Sequence, residues 1–148
     1  MIANTTKLNT AGPDLAELPG VHALTDVTGF GLAGHLLEIA RGANLTAHIQ
    51  WADVPLLPNV SGLLKDGHVT GASGRNWEGY GQEINLAKNL PAECQALLSD
   101  PQTSGGLMVS CAPDSVADVL AVFQRHGFSE AAVVGHMGQV QSSRLMVS

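Results

Sequence analysis

The chain has 148 residues, 45% of them hydrophobic and 14% charged, with seven Lys and Arg against thirteen Asp and Glu. That apolar content can offset the chain entropy of one domain, and the charge is too sparse for a disordered tail, so residues 1–148 read as a single folded domain. A formal net charge of -6 without any basic run excludes the electrostatic footprint of a nucleic-acid binder, and no apolar run reaches the roughly 18 residues of a bilayer span. Cys94 and Cys111 form no C-x-x-C pair and the opening residues lack a signal-peptide pattern, so a reduced, cytoplasmic setting is expected.

In chain order, the polar opening around Gly12 and Pro13 predicts at most a short helical piece near Asp14–Leu18. "VHALT" at 21–25 reads as a buried strand. From Leu32 the apolar residues recur at helical spacing through Ala40, with Gly42 at the expected C-cap. "NLTAHIQW" at 44–51 alternates apolar and polar residues, the period of a half-buried strand. A short helix is expected over Ser61–Lys65, and the glycine-rich stretch 68–89, with four glycines, reads as a long ordered loop around Trp77 and Tyr80. A helix over 91–100 with Pro91 at its first position precedes a strand in "GLMVSCA". Val116, Val119, Leu120 and Phe123 mark an amphipathic helix closed by Gly127. Two final strands, drawn as a hairpin around Gly138 and Gln139, complete an α/β sandwich with a mixed sheet.

The chemistry gathers in two loops. "TDVTGFGLAG" at 25–34 matches G-x-G-x-x-G through Gly29, Gly31 and Gly34, and Asp53 lies where a dinucleotide fold places a ribose-binding acid. Against that reading, "TDVT" separates the strand from the first glycine and sets the Asp26 carboxylate beside the would-be phosphates, which is costly without a cation between them. A second reading has Asp26 coordinating a divalent ion, Thr25 and Thr28 supplying hydroxyls, and Gly29 and Gly31 permitting close approach of a polyphosphate. A third has Asp26 and Thr28 merely capping the helix. "DPQTSGG" at 100–106 is a second such loop, either a capped turn or one wall of a site. The six histidines (22, 35, 48, 68, 126 and 136) show no i, i+4 pair on one helix and so no zinc spacing, and Trp51, Trp77, Phe123 and Phe128 read as packing residues.

Together, "TDVTGFGLAGHL" at 25–36, "GASGRN" at 71–76 and "DPQTSGGLMV" at 100–109 resemble the C-terminal half of the selenophosphate synthetases (selenide, water dikinases), within the wider family related to aminoimidazole ribonucleotide synthetase. The resemblance implies an α+β fold, a three-layer α/β/α sandwich partly similar to a ferredoxin-like fold. It implies a reaction of ATP, selenide and water giving selenophosphate, AMP and phosphate, with Mg2+ as cofactor and a homodimer as the full-length form. It also implies a missing N-terminal domain carrying the nucleophile, with Met1 an internal methionine, so that no catalytic residue falls in this chain. By the same resemblance Asp26 is the metal ligand, next to Thr25, Thr28, Gly29 and Gly31 at the nucleotide. Cys94 and Cys111 match no catalytic position, and Ser73 stands where relatives usually show Thr. A small dinucleotide-binding module, or an interaction domain without chemistry, are the alternatives.

Overall fold

The computed structural model describes residues 5–148. Its elements are α1 (Gly12–Ala16), β1 (Val21–Asp26), α2 (Gly31–Ala43), β2 (Thr46–Ile49), α3 (Val60–Lys65), α4 (Gly71–Tyr80), β3 (Ile84–Leu86), α5 (Cys94–Leu98), β4 (Leu107–Cys111), α6 (Val116–Arg125), β5 (Gly135–Gly138) and β6 (Leu145–Val147). Short 3-10 turns lie at Trp51–Asp53, Gly81–Glu83 and Pro113–Ser115.

The strands form two sheets. β1 and β4 make an antiparallel ribbon, and the other four run in the order β3-β6-β2-β5. In the larger sheet β2 is parallel to β6 and antiparallel to β5, which makes it mixed. The fold is therefore α+β. The ribbon separates two cores. Ala33, Leu36, Leu37 and Ala40 of α2 pack with Ala47, Ile49, Leu145, Val147, Leu98 and Met108 on one side. Leu15 of α1 packs with Val119, Val122 and Phe123 of α6 against Leu24, Leu107 and Val109 on the other. Leu37, Leu98 and Leu145 are essentially inaccessible, and each such leucine contributes about 2 kcal/mol by burial.

Five expectations need correction. The helix that starts at Gly31 ends not at Gly42 but at Asn44, which adopts φ 53° and ψ 48° and turns the chain as a left-handed cap. β2 is not half-buried: Thr46, Ala47 and Ile49 are all buried, because the 139–144 connection crosses its outer face. The last two strands are no hairpin, since β2 is inserted between them. The stretch 68–89 is not a loop but contains α4, a 3-10 turn and β3. Thr70 caps α4 by accepting the Ser73 N–H. The buried face of α4 carries Ser73 and Tyr80 with half-buried Asn76, so apolar periodicity cannot reveal it. The helix expected over 91–100 forms only at Cys94–Leu98.

Candidate functional site

The β1–β4 register sets Asp26 opposite Leu107, and the ladder continues as Val27 N–H donates to Gly106 O at 2.9 Å. The loop leaving β1 and the loop entering β4 therefore lie side by side. Gln102 N–H donates to Thr28 O at 3.0 Å across the two. Gly105 is required for this approach: a Cβ there would sit 1.6 Å from Val27 O.

α4 fastens both loops from one side. Asn76 Nδ2 donates to Gly29 O at 2.8 Å and to Ser99 O at 3.0 Å. The Tyr80 hydroxyl donates to Phe30 O at 2.6 Å. Burial pushes the Tyr80 phenol up to about 12, so it stays a donor throughout the physiological range. Ser73 Oγ donates to Ala96 O and meets Ser99 Oγ, each at 2.8 Å, and Thr70 Oγ1 donates to Asp100 Oδ1 at 3.1 Å. All three motifs thus meet in one cluster.

From α2, buried His35 receives the Thr28 N–H on Nε2 at 3.1 Å. A backbone N–H can only donate, so Nε2 is the accepting nitrogen and Nδ1–H donates to Glu38 Oε2 at 3.0 Å. The Thr28 hydroxyl then also donates to Nε2, at 3.1 Å. The Thr25 hydroxyl donates to Asp26 O at 3.1 Å. Both predicted hydroxyls therefore keep their protons on acceptors within the chain.

The glycines divide by role. Gly29 is exposed and faces open space. Gly31, at φ +67°, is buried, and a Cβ would lie 2.8 Å from Leu98 O, so it admits the second loop's backbone. Gly34 admits Phe30 and Tyr80. The dinucleotide arrangement is not formed, because β1 and β2 belong to different sheets and, among the described residues, β1 has only an antiparallel neighbour. Asp53 sits on the 3-10 turn after β2, exposed.

Asp26 is exposed at the end of β1. Among the described residues no three His, Cys, Asp or Glu side chains converge as a metal cage. An exposed carboxylate such as Asp26 can supply one ligand, and no more, to a hard cation. Beside Phe30, a groove of about 290 Å³ opens between α2 and α4, walled by Glu38, Arg41, Arg75 and Asn76. Arg41 pairs with Glu83 across the end of this groove. Burial holds both thiols above their ordinary value, Cys94 to about 11, so neither has nucleophile character at neutral pH. His35 and Asn76 stand in the quoted motifs and Tyr80 just beyond one, but only as residue types; their bonds to the loop backbone come from the packing of α2 and α4.

Fold and loops define a domain class: an α+β unit presenting two glycine-rich loops side by side. The chain belongs to the family described as AIR synthase related protein, C-terminal domain, which matches residues 3–148. Over 93% of its length it is 63% identical to a selenide, water dikinase of Burkholderia ambifaria, and it spans 39% of that relative. A selenide, water dikinase of Dechloromonas aromatica is 53% identical over 94% of the chain and 40% of the relative. Among solved structures, the hydrogenase maturation protein HypE of E. coli superposes with a TM-score of 0.67 at 19% identity, over 96% of this chain and 36% of that one. A structure of HypE in complex with ATP gives a TM-score of 0.62 at 20% identity, over 98% and 38% of the two chains. These likenesses bear out the expected fold.

Proposed function

We propose that this chain serves as the C-terminal domain of a selenide, water dikinase, and that its two loops form one wall of a Mg2+–ATP site completed by an N-terminal domain. The observation that carries the reading is the convergence of all three resemblance motifs on one backbone-clamped cluster with an exposed carboxylate, Asp26, at its edge. The identity to such kinases, and the likeness to a protein solved with ATP, support it.

In this reading Asp26 is the metal ligand, and Thr25, Thr28, Gly29 and Gly31 border the nucleotide, Gly31 by shaping the turn. Magnesium, when bound, neutralises charge developing on the transferred phosphoryl group. The chain's own work is positioning. Asn76, Tyr80 and His35 fix the backbone of 28–30 in advance, so no ordering cost falls on the nucleotide when it binds. No residue here acts as nucleophile or base. The homodimer, selenide as substrate and a cytoplasmic setting belong to the full-length protein; two free cysteines agree with a reducing compartment.

The test joins this chain to the remaining portion of the Burkholderia ambifaria relative and follows AMP formed from ATP and selenide. The isolated chain is expected to form none. In the joined protein, Asp26→Asn should lower the rate at least a hundredfold with an unchanged melting temperature, about 3 kcal/mol of transition-state stabilisation. A wild-type rate in that variant would overturn Asp26 as a metal ligand.

A further inference from the structure

The face of β2 turned away from the α2 core carries a feature outside the loop cluster. Strand alternation puts Ala47 and Ile49 into the core and His48 on the opposite face. His48 lies directly across from His136 of β5 in the ladder. Their imidazoles are stacked, with centroids 4.8 Å apart and planes within 3° of parallel. Spacing along the chain gave no hint of this pair.

Two other histidines have their ring nitrogens committed: His35 and His126 each bond a carboxylate, Glu38 and Asp14. Among the described residues neither His48 nor His136 bonds a carboxylate. What lies next to His48 is the side-chain amide of Gln141, whose Nε2 is 3.4 Å from His48 Nε2. Turning that amide over would present its oxygen at the same place. Gln141 is held there by its backbone: its N–H donates to Thr46 Oγ1 at 2.8 Å, and that wholly buried hydroxyl donates onward to Ser143 O at 3.0 Å. Gly138 clears the space, since a Cβ there would lie 3.1 Å from His48 Nε2. Two imidazoles in strand register, a third donor on a pinned loop and an adjoining glycine make a supported arrangement rather than two surface side chains.

The geometry points to a surface site for a divalent transition metal of imidazole preference, held by His48 and His136 across the β2–β5 pair, with Gln141 as a third donor. Water completes the shell. Copper(II), nickel(II) and zinc(II) are the ions that suit neutral imidazole, with copper bound most tightly. A net charge of -6 attracts any of them. Chelation asks only a turn of the exposed His136 ring to bring both nitrogens onto one ion. The site is distinct in chemistry from Asp26, an oxygen donor suited to magnesium.

The experiment is a copper(II) titration of the 148-residue chain, read by calorimetry and by nitrogen hyperfine structure in the electron paramagnetic resonance spectrum. One equivalent should bind saturably with coupling to two imidazole nitrogens. His136→Ala, at an exposed position, should remove that step while leaving the circular dichroism spectrum unchanged; His48→Ala should do the same. Gln141→Ala should weaken binding and keep the two-nitrogen pattern. His22→Ala and His68→Ala should leave the titration untouched. Absence of saturable binding, or equal binding by wild type and His136→Ala, would overturn the assignment. Neither outcome bears on the kinase reading.

Discussion

Two irregular regions of this protein, similar in composition, are held in opposite ways. The loops 27–31 and 100–106 and the segment 55–70 are all rich in Gly, Pro or small polar residues. In the first region Val27, Thr28, Gly29 and Phe30 all have backbone groups bonded by residues distant in the chain. In the second, α3 has no buried residue, and Leu57, Leu63 and Val69 are 58%, 51% and 50% exposed. Rigidity is concentrated where the loops form a wall, and it comes from side chains of α2 and α4 rather than from apolar burial. A preformed wall suits a site that a charged ligand enters without rearrangement.

The contrast can be broken or sharpened by substitution. Gly105→Ala should have the largest effect, because its Cβ would overlap Val27 O and force the two loops apart; a loss of about 3 kcal/mol in denaturant unfolding is expected. Asn76→Ala strips the bonds to Gly29 O and Ser99 O and should cost about 1–2 kcal/mol. Amide exchange at 28–31 should rise in that variant and not at 60–65. If it does not rise, Asn76 is not what holds the loop.

A smaller effect is expected from the partly exposed Arg41–Glu83 pair. Hydrogen bonding to the Arg41 guanidinium holds the Glu83 carboxyl below its ordinary value. Its stabilisation is therefore full above the unfolded value of 4.5 and lost as pH falls through the folded value. Arg41→Ala should cost about 0.5 kcal/mol near neutrality, and the difference from wild type should vanish in acid. Smallest of all, Leu63→Ser on α3 should change stability by no more than about 0.5 kcal/mol. A loss several times larger would show that α3 is packed into the domain after all.

Local pattern carried much of this molecule. The apolar stripe of α6, the helix after Gly31 and the strand runs of β1 and β4 are repeats of one face, and such repeats are written in consecutive residues. The loop motifs, too, could be read as strings, and with them the family. α4 could not, because the residues it turns inward are Ser73, Asn76 and Tyr80, whose burial is repaid by hydrogen bonds to partners elsewhere in the chain. Strand pairing was equally hidden. That β1 lies beside β4, that β2 separates β5 from β6, and that His48 meets His136 all follow from contacts between distant segments. Periodicity says which face of an element is buried; only the packed chain says what it is buried against.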